Sequence, residues 1–358
     1  MHPTDATNSI HARSLPDEMA IQPAGRVLGR IRPPGSKSIT NRALVVAALA
    51  EGRSTLTGVL DSEDTQVMIE SWRRLGVAVM HDPEKRRVAV TGCAGRIPTT
   101  SADLFLANSG TSMRFLTAAV ALGRGTYRLD GVSRMHQRPI EELLAALRSL
   151  GANASSELGT GCPPVVVQAS GLRGGSVRIA SSESSQFLSA LLMAAPFATG
   201  EVILEVAGEL VSEPFVRMTL QVMKQFGVTV DQPVPGRFVV PPGQIYRGQP
   251  FEIEPDASAA SYFWAAAAIT GGEITVDGIG TASIQGDVAF VDLLEQMGAK
   301  VIRRLDSITV IGGPLHGIET DMNAISDTAL TLAVVAAFAH SSTTIKNVAH
   351  IRKQETDR

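Results

Sequence analysis

Three short segments carry residue types that bind anions, and each stands where a helix should begin. The first is Pro33-Pro34-Gly35-Ser36-Lys37-Ser38-Ile39-Thr40-Asn41-Arg42, which follows a strand-like run from Arg26 to Arg32 and opens an alanine-rich stretch. A helix N-terminus offers unpaired N–H groups and a partial positive charge, which suits phosphate or carboxylate. Lys37, Ser38 and Arg42 add side-chain donors, although a plain N-cap would use the same kinds of residue. A P-loop is excluded, because five residues separate Gly29 from Gly35 and Ser36 intervenes before the lysine. The second segment, Asn108-Ser109-Gly110-Thr111-Ser112-Met113-Arg114, has the same form: a turn of small residues, then a helix. The third, Ser181-Ser182-Glu183-Ser184-Ser185-Gln186, has hydroxyls and an amide but no cation. Cations are disfavoured in a first helical turn unless an anion sits there. With Arg42 and Arg114 expected in first turns, anions are expected at both starts.

Other candidates have bland rivals. Arg134 and Arg138 flank Met135-His136-Gln137 ahead of a Pro-started helix, and could equally be a solvated pair. Ser212 before Glu213-Pro214 suits an N-cap. Asp327 opens an alanine-rich helix and could cap it, and Glu355 lies in a mixed-charge run that reads as a solvated face.

The elements that would place these residues recur along the chain. One half of a repeat is an alanine-rich helix followed by a β-branched strand, beginning at Asn41, Met113, Gln186, Ser261 and Asp327. The other half is an amphipathic helix ending at Gly76, Gly151, Gly227 or Gly298, then a short strand. Glycine there fits a helix terminus in the left-handed region. Helices alternating with strands at a fixed period predict a repeated α/β unit. Five copies of the first half stand against four of the second, so a fifth glycine-ended helix is due at roughly residue 370 and the last unit is expected to be incomplete.

Bulk properties agree with two domains of a soluble protein: 358 residues, 44% hydrophobic, 19% charged, net charge −3. That charge implies no general attraction to nucleic acid or membrane. Cys93 and Cys162 have no metal-ligand spacing and read as idle thiols in a reducing compartment. The first 20 residues read as a loose tail without a targeting pattern, and a cytoplasmic monomer is expected.

Taken together, the segments resemble the 5-enolpyruvylshikimate-3-phosphate (EPSP) synthase family from about Gln22 to Arg358. The matching stretches are PPGSKSITNRAL, LANSGTSMRFL, LDGVSRMHQRPI, SSQFLSALLMAAP, ELVSEPF, EPDASAASYFW, QGD, DMNAISDTALTLAVVA and ETDR. The resemblance implies a two-lobed, inside-out α/β prism, with residues 21–35 and 243–358 in lobe I, incomplete at its C-terminal end, and 36–242 in lobe II. It implies transfer of the enolpyruvyl group of phosphoenolpyruvate to the 5-hydroxyl of shikimate 3-phosphate, with release of phosphate and no metal or organic cofactor. Carried over by position, Lys37, Ser38, Arg42, Ser184, Ser185, Gln186, Ser212 and Asp327 look like shikimate 3-phosphate ligands, with His350 and Gln354 where the family often has Asn and Lys. Lys37, Asn108, Gly110, Arg134, Gln186 and Arg358 look like phosphoenolpyruvate ligands. Asp327 and Glu355 would form the acid–base pair, with Lys37 also catalytic, and further family ligands would fall beyond residue 358. Phe115, Ala107 and Phe215 replace the family's Pro, Gly and Tyr, and the first two imply altered sensitivity to glyphosate. Two other readings stand beside this one: a UDP-N-acetylglucosamine enolpyruvyl transferase, and a non-catalytic fragment that needs a further C-terminal piece.

Overall fold

The computed structural model describes residues 18–179, 185–208 and 212–353. One order of elements is run through repeatedly. The first pass is β1 (Leu28–Ile31), α1 (Lys37–Leu49), β2 (Arg53–Thr57), α2 (Glu63–Arg74), β3 (Ala78–Asp82) and β4 (Arg87–Thr91). The second is β5 (Ser101–Phe105), α3 (Gly110–Val120), β6 (Arg124–Asp130), α4 (Glu141–Ser149), β7 (Asn153–Ser156) and β8 (Val165–Ser170). The third is β9 (Gly175–Ile179), α5 (Ser185–Ala194), β10 (Val202–Val206), α6 (Glu213–Gln225), β11 (Asp231–Val234) and β12 (Arg237–Val240). The fourth is β13 (Pro250–Glu252), α7 (Ala257–Thr270), β14 (Glu273–Asp277), α8 (Phe290–Gln296), β15 (Lys300–Arg303) and β16 (Ser307–Ile311). A fifth begins with β17 (Glu319–Asp321), α9 (Ala329–Ala336) and β18 (Thr344–Lys346).

The sheets explain the repeat and contain one exchange. In the second pass the strand order is β5-β6-β8-β7, with β5 and β6 parallel and the later neighbours antiparallel. The third pass gives β9-β10-β12-β11 in the same sense. The first and fourth passes trade their opening strands. β13 lies parallel to β2, with Pro250 against Thr55, and β1 lies parallel to β14, with Leu28 against Glu273. β17 and β18 form the same kind of parallel pair.

The exchange divides the molecule into two cores. One runs from Ile39 to Ile253 and the other from Ala257 to Val335, with Val27 and Ile31 packed against the latter. The return crossing expected near residue 242 therefore lies at 254–256. Tyr246, Phe251 and Ile253 are buried in the first core, and the Tyr246 hydroxyl donates to the Met193 carbonyl at 3.0 Å. Residues 243–253 belong to the first body for that reason. At the outgoing crossing, Gly35 bridges Pro255, and a Cβ on Gly35 would lie 1.8 Å from the Gly58 carbonyl oxygen, so only glycine fits.

In the first body α1, α3 and α5 pack together behind three sheets. Every residue of α1 from Ile39 to Leu49 is buried, which accounts for its lack of a polar face. The amphipathic helices end as expected: Gly76, Gly151, Gly227 and Gly298 have φ of 87°, 97°, 90° and 113°. The residue after each glycine donates back to the helix (Val77 to Trp72, for example, at 2.9 Å), which closes a Schellman motif. Among the described residues no helix is long and apolar enough to cross a membrane.

Candidate active site

The start of α1 is built by both crossings. Ser36 is the N-cap in extended conformation, and its hydroxyl accepts the Ile39 N–H at 3.5 Å. The Lys37 N–H instead donates to Asp256 Oδ2 at 3.1 Å. The Lys37 ammonium, partly exposed, pairs with Asp64 Oδ2 at 3.4 Å at the start of α2. Ser36, Ser38, Phe215, Asp256, Ser258, Gln285 and Asp287 surround a cavity of about 10 Å³ between the bodies.

Arg42 is the sixth residue of α1 and 2% exposed. Its Nε donates to Thr219 Oγ1 at 2.7 Å, and its terminal nitrogens donate to the Ser38 carbonyl at 3.0 Å and the Phe215 carbonyl at 3.1 Å. The guanidinium stands over Phe115 at 5.2 Å and Phe215 at 5.9 Å. Burial pushes it down to about 9, so it is still a cation at neutral pH, with no carboxylate against it among the described residues. Arg114 is the fifth residue of α3 and 4% exposed. Neither arginine is in a first turn, where the helix dipole acts. The cost each carries is desolvation, so the expected argument from the dipole fails and one from buried charge replaces it.

The start of α3 packs around two arginines. Ser109 caps it by accepting the Ser112 N–H at 3.3 Å. Arg114 donates to the Gly110 carbonyl at 3.3 Å and the Pro139 carbonyl at 2.9 Å, while Arg138 donates to the Asn108 carbonyl at 2.9 Å. A Cβ on Gly110 would lie 2.3 Å from an Arg138 nitrogen. Asn108 Oδ1 is buried and has no hydrogen-bond partner among the described residues. Ala107 has φ of 47°, the left-handed region that a glycine enters without steric cost. Arg134 is half-buried and donates to Gln137 Oε1 at 3.1 Å.

A set of contacts joins the starts of four helices, α1, α2, α3 and α5. Lys37 pairs with Asp64, the Asp64 carbonyl accepts the Ser112 hydroxyl at 3.3 Å, and Thr111 Oγ1 accepts the Gln186 amide at 3.3 Å. Ser185, the first residue of α5, is 6% exposed. Ser212 precedes α6 with φ of 54°, and its N–H donates to Asn323 Oδ1 of the other body at 3.3 Å.

On the second body Asp327 lies in a short 3-10 turn, Asn323–Thr328, and Thr328 rather than Asp327 takes the N-cap position of α9. His350 Nε2 meets Ser326 Oγ at 2.9 Å. Partial burial lowers the His350 pKa below the usual imidazole value, and the Asp327 charge opposes that shift. Ser184, Gln354, Glu355 and Arg358 lie outside the described residues. Sequence reasoning missed Asp64, Asp256, Gln285 and Thr219. Asp256 signals only a cap in its local sequence, since its contact with Lys37 spans the two crossings.

Residues 21–358 match the sequence family described as EPSP synthase (3-phosphoshikimate 1-carboxyvinyltransferase). The chain is 46% identical to the chloroplastic 3-phosphoshikimate 1-carboxyvinyltransferase of Arabidopsis thaliana, over 100% of this chain and 72% of that protein. It is 47% identical to the 3-phosphoshikimate 1-carboxyvinyltransferase of Sulfurovum sp. (strain NBC37-1), over 96% of this chain and 81% of that one. The fold superposes on an EPSP synthase of Acinetobacter baumannii with a TM-score of 0.79 and 26% identity, covering 93% of this chain and 76% of that one. It also matches the enolpyruvyl transferase NikO of Streptomyces tendae, with a TM-score of 0.69 and 19% identity over 90% and 76% of the two chains, a likeness of fold. These relatives favour neither the UDP-N-acetylglucosamine reading nor the non-catalytic one. The repeated prism, its buried arginines and these matches agree, and the chain belongs to the EPSP synthase family.

Proposed function

We propose that the protein transfers the enolpyruvyl group of phosphoenolpyruvate to the 5-hydroxyl of shikimate 3-phosphate and releases phosphate, as a monomer in the cytoplasm. The observation that carries this reading is the contact set linking the starts of α1, α3 and α5 through Lys37, Asp64, Ser112, Thr111 and Gln186. Both substrates carry phosphate and carboxylate, and such a set gathers N–H groups, hydroxyls and a lysine on one surface.

Lys37, Ser38, Ser184, Ser185, Gln186 and Ser212 hold shikimate 3-phosphate in this reading. Arg42 supports that half from within, since its guanidinium donates to protein oxygens and no carboxylate lies against it among the described residues. Lys37, Asn108, Gly110, Arg134, Gln186 and Arg358 hold phosphoenolpyruvate. Asp327 takes the hydroxyl proton as the ring oxygen attacks the phosphate-bearing carbon and Glu355 gives a proton to the methylene; the tetrahedral adduct then expels phosphate as its methyl group returns a proton to Glu355. His350 and Gln354 complete the ring-binding side, with His350 beside Asp327.

The test is phosphate release with both substrates present. Asp327→Asn and Lys37→Ala should each lower the rate by roughly 10²–10⁴-fold, the usual range for a lost acid–base group. Release at the unmodified rate in Lys37→Ala would sink the site assignment.

A further inference from the structure

The first N–H of α1 is tied across the crossings. Lys37 N–H donates to Asp256 Oδ2 at 3.1 Å, while Asp256 Oδ1 accepts the Ala259 N–H at 2.8 Å and so caps α7. One carboxylate thus closes the N-termini of two helices in two bodies. The backbone around it is symmetrical: the Ser36 N–H donates to the Glu254 carbonyl and the Asp256 N–H to the Pro34 carbonyl, each at 2.8 Å. Ser36, in the matching place, caps its own helix alone among the described residues. The asymmetry lies in the side chain, since a carboxylate has two acceptor atoms to aim in two directions.

Asp256 is itself held in place. Gln285 is 7% exposed and spends its whole amide on the returning crossing. Its Nε2 donates to the Pro255 carbonyl at 2.7 Å and Glu254 Oε2 at 3.0 Å, and its Oε1 accepts the Ala257 N–H at 3.0 Å. Glu254 also accepts the Ile284 N–H at 3.2 Å and the Ser283 hydroxyl at 2.5 Å. A buried amide with every polar atom matched tolerates one geometry.

We propose that Asp256 and Gln285 are positioning residues for Lys37. Gln285 fixes residues 254–257, and Asp256 fastens that segment to the first residue of α1, so the lysine leaves its helix from a defined root. The lysine stem is long and flexible, so the place where its backbone is fixed sets the region its ammonium can reach, including its pairing with Asp64 at 3.4 Å. Small misplacements of a binding group are costly to reaction geometry. The role given to Lys37 rests on the proposed function above.

The test combines Asp256→Asn, Gln285→Leu and Lys37→Met, singly and with Lys37→Met added to each of the others. Asparagine keeps one oxygen but replaces the second acceptor by an NH₂ group, which cannot accept the Lys37 N–H. Hydrogen exchange at the Lys37 amide in the ligand-free protein should quicken about 10-fold in Asp256→Asn, the size of one lost hydrogen bond. Calorimetric affinity for shikimate 3-phosphate should fall about 10-fold in Asp256→Asn, less in Gln285→Leu, and no further when either is added to Lys37→Met. Unchanged exchange at Lys37, or the same fold-loss of affinity with and without the lysine, overturns the proposal. A parent protein that fails to bind shikimate 3-phosphate overturns the proposed function instead, and exchange at Lys37 still decides whether the tie exists.

Discussion

Helices α1 and α7 open their repeats from matching places in the two crossings, yet their sixth residues have opposite fates. Arg42 on α1 is 2% exposed, whereas Tyr262 on α7 is 66% exposed. The difference comes from what lies alongside. Arg42 meets α6 through Thr219, α5 through Ser189 and α3 through Phe115. α7 meets α9, where Ser261 and Thr331 hydroxyls lie 3.2 Å apart, and a stripe on and just beyond α9 (Leu330, Val334 and Phe338) stands 50%, 57% and 57% exposed. One repeat cannot bury its own apolar helix, and three around a common centre bury all of theirs. The helices packed around Arg42 also create a place where a cation is held away from water.

The largest test of this comparison is packing. Phe187→Ala in α5, at 1% exposure, should cost about 3–5 kcal/mol in denaturant unfolding. Leu330→Ala should cost no more than about 0.5 kcal/mol, as at other surface positions. Equal losses would show that the α9 stripe is covered in solution and would erase the contrast. A smaller effect is expected at the first helical residue, Gly110 in α3 and Ala257 in α7. Gly110→Ala drives a methyl into the Arg138 guanidinium. Overpacking of this kind costs about 1–3 kcal/mol, so the KM for phosphoenolpyruvate should rise about 10-fold. An unchanged KM would mean that Arg138 moves aside freely.

Much of the first body was legible in the sequence because its signals are local. Alanine-rich helices, glycine terminators and β-branched strands each announce themselves within a dozen residues. The positions of Ser36, Ser109 and Ser185 at or beside helix starts followed from those patterns. The partners did not. Asp64 meets Lys37 by contact between neighbouring helices, and Thr219 meets Arg42 from two repeats away, so neither leaves a mark near its partner. The return crossing is hard to read for a related reason: β13 is short and looks like a linker until β2 is seen beside it. The helical turn occupied by Arg42 and Arg114 was also misjudged, because cap position depends on where extended backbone ends.

The smallest test concerns acidity on the second body. Burial lowers the folded-state pKa of His350 below the ordinary imidazole value, so the unfolded chain takes up the proton first. The stabilising contribution of neutral His350 is complete above roughly pH 6.5 and is lost as pH falls through the folded pKa. His350→Asn should therefore narrow the gap between denaturant midpoints measured at about pH 7.5 and about pH 5.5. An unaltered gap would place the acid sensitivity elsewhere.

The exchange of β1 and β13 bears on how such a chain can be made. As it leaves the ribosome, the sheet holding β2, β4 and β3 lacks its outer strand until Pro250–Glu252 arrives, and β1 has no partner until Glu273–Asp277 follows. The second and third repeats can close as they emerge, because their strands are neighbours in sequence. Synthesis should thus pass through a stage with a finished middle and an unsealed beginning, the pattern of non-local pairing that slows folding and exposes strand edges. The same interlacing means that no single cut in the backbone yields two whole halves.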